Sequence, residues 1–80
     1  MKYIVLWNYY DSSPLIVEAK DHKELILSVA KCDGTYCELF EKCLVGMETL
    51  NDMVKLYDHF SDDEIKSIYQ LGDTLYEYSH

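Results

Sequence analysis

The sequence predicts a small α+β domain in which an N-terminal β-hairpin is followed by three to four short helices. Three observations carry that expectation. Its eighty residues suffice for one hydrophobic core and no second domain. Hydrophobic side chains make up 49% of the chain, with eight tyrosines, a composition that disordered acidic chains lack. The apolar pattern also changes along the chain, from β-branched and aromatic runs to spacings of three and four. No repeat, linker or low-complexity stretch interrupts it. Residues 1–80 are therefore expected to form a single compact acidic domain, with a radius of gyration of roughly 12 Å.

Residues 3–10 combine aromatic and β-branched side chains and fit a strand. Tyr3, Val5, Trp7 and Tyr9 fall on one face, and Ile4, Leu6, Asn8 and Tyr10 on the other. Both faces carry apolar groups, so one is expected in the core and the other under a helix or a partner. Asp11, Ser12, Ser13 and Pro14 supply turn chemistry, and residues 15–19 return as the second strand. Asp21, followed three residues later by Glu24, opens a helix in the manner of a capping box. That helix buries Leu25, Ile26, Val29 and Ala30 and stops at Asp33-Gly34, where glycine tolerates the left-handed conformation.

Thr35 and Glu38 repeat the cap pattern before residues 36–44, which read as a short helix. A strand competes there, because Cys37, Leu39, Cys43 and Val45 alternate. After Gly46, residues 48–60 place Leu50, Met53, Val54, Tyr57 and Phe60 on one helical stripe. Ser61 with Glu64 reads as a further N-cap, Asp62 and Asp63 favouring the helix dipole. Ile65, Ile68, Tyr69 and Leu75 would be its buried stripe. Gly72 would weaken that helix by about 1 kcal/mol relative to alanine. Residues 74–78 fit either its continuation or an extended strand.

Fifteen acids face seven lysines and no arginine, a net charge of −8. Such a domain repels phosphate backbones and lacks the side chain that forks onto phosphate or guanine. Neither direct nucleic-acid binding nor docking on an anionic membrane is expected. The apolar run at residues 4–7 is far short of the roughly 20 residues that span a bilayer, and no signal-peptide cleavage site follows it. Cys32, Cys37 and Cys43 are odd in number and read as reduced cytoplasmic thiols, buried as small hydrophobes. Their spacing departs from that of zinc sites, and nothing arranges His22, His59 or His80 beside them, so no metal or other cofactor is expected.

Catalytic machinery is not visible either. The serines lack the glycines of a nucleophile elbow, and Gly34, Gly46 and Gly72 are isolated rather than gathered into a phosphate loop. His59 lies near a helix C-terminus that favours its charge, and Cys37 beside Glu38 is poorly placed to ionise. An enzyme is not expected.

The acids and tyrosines carry more information. Glu48, Asp52, Asp58, Asp62, Asp63, Glu64, Asp73 and Glu77 face only Lys55 and Lys66, so the C-terminal region holds −6 of the −8. Like charges four residues apart cost a helix roughly 0.2–0.5 kcal/mol per pair, and a solvated surface explains only part of such a concentration. A negative ridge from Glu48 and Asp52 through Asp58 to Asp62, Asp63 and Glu64, running from one helix to the next, would mimic the dense charge of a duplex. Tyr76 and Tyr78, flanking Glu77, suit a contact surface, as do Tyr9 and Tyr10.

Together these features predict a small acidic protein-binding module that inhibits a host or defence protein by covering a basic or nucleic-acid-binding surface. Gly, Ala, Arg and Pro supply only six residues, the codon signature of an AT-rich genome. As a type, on size, charge and composition, the chain resembles the small acidic inhibitors of bacteriophages, anti-CRISPR proteins among them. That resemblance implies a bacterial or phage-infected host cytoplasm. Two alternatives are an antitoxin-like neutraliser of a basic toxin and a structural subunit forming homo-oligomers through its hairpin edge.

Overall fold

Side chains alternate along an extended chain, so Tyr3, Val5 and Trp7 share one face of the first strand, and the core forms on that face. The computed structural model describes residues 1–7 and 13–78. Strands β1 (Lys2–Trp7) and β2 (Leu15–Glu18) make the expected N-terminal hairpin, antiparallel, with Tyr3 opposite Val17 and Val5 opposite Leu15. The expected strand residues 8–10, the turn residues 11–12 and residues 79–80 lie outside the described part.

Helix α1 (His22–Asp33) begins as its sequence dictates. The Asp21 carboxylate accepts the Glu24 N–H at 2.8 Å, and the Glu24 carboxylate accepts the Lys20 N–H at 3.3 Å. It ends at Gly34, whose φ of 83° is open to glycine at little cost. Helix α2 (Glu38–Val45) settles the helix-or-strand alternative as a helix, but Thr35 does not cap it. The cap is Cys37, whose Sγ accepts the Phe40 N–H at 3.4 Å. This corrects the expected burial of the cysteines: Cys32 and Cys37 are exposed and Cys43 is half-buried. Phe40 and Leu44 are the residues α2 buries, which leaves Cys43 off its buried face, while Cys32 lies in the last turn of α1 and Cys37 before α2.

Helix α3 (Leu50–Phe60) starts at Thr49, whose Oγ1 accepts the Asp52 N–H at 3.2 Å. It buries Leu50, Met53, Val54 and Tyr57, each apolar side chain worth roughly 1.5–3 kcal/mol.

The expected fourth helix is absent, and a second hairpin stands in its place: β3 (Ile65–Gln70) and β4 (Asp73–Glu77). Ser61 caps a turn rather than a helix, its Oγ accepting the Asp63 N–H at 3.0 Å. Asp58 Oδ1 then accepts the Ile65 N–H at 3.2 Å and directs the chain into the sheet. Leu71 and Gly72, with φ of 48° and 88°, form the two-residue turn between β3 and β4. Gly72 thus serves a hairpin and does not weaken a helix.

The four strands lie in the order β2-β1-β3-β4, antiparallel throughout, so β1 and β3, from opposite ends of the chain's length, meet at the centre and β2 and β4 form the edges. The three helices pack over the face that carries Tyr3, Val5, Trp7, Val17, Ile65 and Ile68. α1 lies against β2, α3 against β4, and α2 bridges α1 and α3, with the Phe40 ring edge-on to Phe60 at 5.5 Å. The Cα radius of gyration is 11.5 Å. A polar link crosses the layers: Trp7 Nε1 donates to Tyr57 Oη at 3.2 Å, and Tyr57 Oη donates to the Asp33 carboxylate.

Candidate protein-interaction surface

The acidic residues singled out in the sequence do not form one ridge. Glu48 and Asp52 sit exposed at the N-terminal end of α3, whose eleven residues span about 16 Å. Asp58 lies six residues beyond Asp52, about 240° further round the helix, and is half-buried near its C-terminal end. Asp62, exposed, and Asp63 and Glu64, half-buried, occupy the turn into β3. A ridge continuing onto a next helix is therefore corrected, because the chain enters the sheet there and no helix N-terminus follows these acids. Glu48 instead lines a cavity beside Lys20 and Lys23.

A second group does converge. α3 packs against β4, and Asp58 comes within electrostatic reach of Tyr76. Burial pushes the Tyr76 hydroxyl pKa up, and the charges of Asp58, Glu64 and Tyr78 push it the same way. Asp58 itself is raised to about 6 from a usual carboxylate value of 3.8. Burial is the main cause and the Glu64 charge adds to it, against the Ile65 N–H, which favours the ionised form. Four of the residues picked from sequence, Asp58, Glu64, Tyr76 and Tyr78, thus share one site at the junction of α3, β3 and β4.

The residues behind this site hold it still. Tyr57, next to Asp58, is tied to Asp33 and Trp7, and Ser61 Oγ lies 3.4 Å from the same Asp33 oxygen. Burial, and then the Asp33 hydrogen bond, push the Tyr57 pKa up to about 12. Asp33 at the end of α1 therefore secures the end of α3, a role that nothing in the sequence near Asp33 signals.

β4 also borders a second surface. Glu77 stands opposite Ser67, itself opposite Leu6, on the sheet face away from the helices, while Tyr76 stands opposite Ile68 on the helix side. Among the described residues no helix covers that outer face. It presents Ile4 and Ile16, opposite one another and 42% and 68% exposed, with Leu6 and Tyr69 half-buried beside them. Apolar residues on both faces of β1 were the sequence signal for it. Ser67, small and set between Leu6 and Glu77, is 1% exposed.

The strand edges are poor candidates for pairing with another sheet. β2 has four residues, and β4 is interrupted by a bulge opposite Ile68 and Tyr69 and carries Asp73 and Glu77. Among the described residues no three His, Cys, Asp or Glu side chains are grouped to hold a metal ion, and no helix is long and apolar enough to cross a membrane. No protein-family model, curated protein or solved structure matches the chain.

Proposed function

We propose that this protein is a non-enzymatic binding module that inhibits a host or defence protein by covering a basic surface on it, of the kind that otherwise holds nucleic acid. The half-buried cluster of Asp58, Glu64, Tyr76 and Tyr78 is the observation that carries the reading. Its acids complement a cationic surface and steer association, while tyrosine supplies contact area at low entropy cost. The uncovered sheet face, reached across β4, adds Ile4 and Ile16 as apolar contacts that slow dissociation. Phage-encoded antagonists of bacterial defence are the class this combination fits best.

The test is affinity capture from a nuclease-treated bacterial lysate, followed by measured affinity for the purified partner. Charge reversal of Asp62, Asp63 and Glu64 to lysine is expected to weaken binding about tenfold or more and flatten its salt dependence, with the far-UV circular dichroism unchanged. Ile16→Glu is expected to raise the dissociation rate. Reversal of Glu48 and Asp52, at the far end of α3, is expected to change little. Equal losses in both charge-reversed variants, or none in either, would refute the assignment. Capture of this chain alone would replace it with homo-oligomeric assembly.

A further inference from the structure

Asp58 occupies the last turn of α3, two residues before the helix ends at Phe60. The unsatisfied carbonyls of a helix C-terminus disfavour a negative charge there. The side chain is half-buried, and the Ile65 N–H holds its Oδ1 at 3.2 Å. That bond ties the end of the helix to the start of β3 and fixes the carboxylate at the junction with β4. Three features of its position thus oppose the charged form: the helix end, the loss of water and the neighbouring Glu64 carboxylate.

The groups around it do not compensate. On α3 itself Lys55, one turn earlier, and His59, next in the chain, are exposed, and neither offsets the charge. From α1 comes Asp33, which is engaged by Tyr57 and Ser61. α2 meets α3 through the rings of Phe40 and Phe60. β3 carries Lys66, which is exposed, and β4 brings the Tyr76 hydroxyl, with Tyr78 just beyond it. The charge that would satisfy Asp58 therefore has to come from outside the molecule. With its pKa raised to about 6, roughly one molecule in ten carries the Asp58 charge at pH 5 and nearly all do at pH 7.5.

We propose that docking is proton-gated: the junction of α3, β3 and β4 holds a cationic partner when Asp58 is ionised and releases it when Asp58 takes up a proton. The inference rests on the docking reading above and adds regulation to the same site. Loss of the proton leaves two carboxylates, Asp58 and Glu64, facing the partner's cation in a half-dehydrated setting, where each charge counts for more than on an open surface. Protonation leaves Glu64 alone. By reciprocity, a bound cation draws the proton off Asp58, so docking between pH 5 and 6 releases close to one proton.

The experiment is a titration of the ¹⁵N-labelled full chain with N-acetyl-decalysine, a probe whose charge is constant from pH 5 to 7.5. Amide shifts of Ile65 and Tyr76 are followed at fixed ionic strength. Both are expected to shift saturably at pH 7.5, with affinity falling about tenfold by pH 5. Asp58→Asn should bind at pH 7.5 about as weakly as the parent does at pH 5, and should lose most of the pH dependence. The remaining carboxylates act in both proteins and cancel in the comparison. Glu64→Gln removes the opposing charge and should move the midpoint of the pH profile to lower pH, a change that a purely structural role for Glu64 would not produce. If Ile65 and Tyr76 do not respond at pH 7.5, the docking reading fails and the gate with it. If they respond but the parent and Asp58→Asn share one pH dependence, or the Glu64→Gln midpoint does not move, the gate alone is overturned.

Discussion

Asp58→Asn should make the protein more stable at neutral pH and leave its stability unchanged near pH 4. Asp58 titrates near 6 in the fold against a usual 3.8, so the folded state holds its proton over a range where the unfolded state has released it. Between about pH 4 and 6 the unfolded state binds fewer protons, and stability falls as pH rises. Below that window both states are protonated and the penalty vanishes; above it the penalty is complete. A shift of this size corresponds to about 3 kcal/mol if taken whole, but the group is only half-buried, and solvent screening brings the expected effect nearer 1 kcal/mol. Asparagine keeps an oxygen to accept the Ile65 N–H at the 3.2 Å contact, so the substitution isolates the charge. Urea denaturation of both proteins by far-UV circular dichroism at pH 4, 5, 6 and 7 is the assay. The other fourteen acids titrate in both proteins and cancel in the difference. The variant should match the parent at pH 4 and gain through pH 6 to a plateau. A difference independent of pH, or a variant less stable at pH 7, would show that the Asp58 charge is compensated and the reasoning wrong.

Leu71→Asn should stabilise by about 1 kcal/mol in thermal denaturation, since Leu71 is 93% exposed at a φ of 48° and Asn-Gly suits a turn with two positive φ values. Tyr57→Phe should destabilise by about 1–3 kcal/mol in urea, because it removes the hydroxyl that joins Trp7 to Asp33. It should also eliminate the tyrosine ionisation expected near pH 12 in an ultraviolet titration. Cys37→Ser should stabilise by a few tenths to about 1 kcal/mol, a hydroxyl being a better helix cap than the 3.4 Å thiol contact, whereas Thr35→Ala should change the cap little.

The hairpin, α1 and α3 were legible because each is specified by neighbours in sequence. Asp21 and Glu24 start α1, Gly34 stops it, and the stripe from Leu50 to Tyr57 needs no distant partner to read as a helix. The last segment was misread for a physical reason. Ile65 and Ile68 stand three apart, as on a helix, yet both face the core from a strand, because the register against β1 shifts between Leu6 and Trp7. Trp7 pairs with Ile65 and Val5 with Ile68, so one extra residue of β3 fits between them. Ser61 and Glu64 imitate a capping box, while Ser61 in fact serves a turn. What decides the outcome is pairing with a strand some sixty positions earlier, which local periodicity does not register. Leu71, an unusual residue at positive φ, also hid the hairpin turn. The acidic site was legible only as a list of residues. Its division into an exposed group around Asp52 and a half-buried group around Asp58 depends on α3 meeting β4, and that contact exists only because the segment is a strand.

That division bears on what the acids do. A carboxylate kept for solubility is best exposed, as Glu48, Asp52, Asp62 and Glu77 are. Asp58 is half-buried, faces the Glu64 charge, and has its ionised form opposed by both. The fold nevertheless holds it firmly, with Tyr57 on one side tied to Trp7 and Asp33, and Ile65 on the other donating to it. A group that weakens the fold while being rigidly supported has the character of a pre-organised site, where stability is given up for function. A cation brought against Asp58 and Glu64 would offset their repulsion and favour the ionised Asp58, so the free energy that the unbound protein forgoes would reappear as affinity. An exposed acidic surface has no such reserve, which is why the Asp58 cluster, rather than the net charge, supports the binding role.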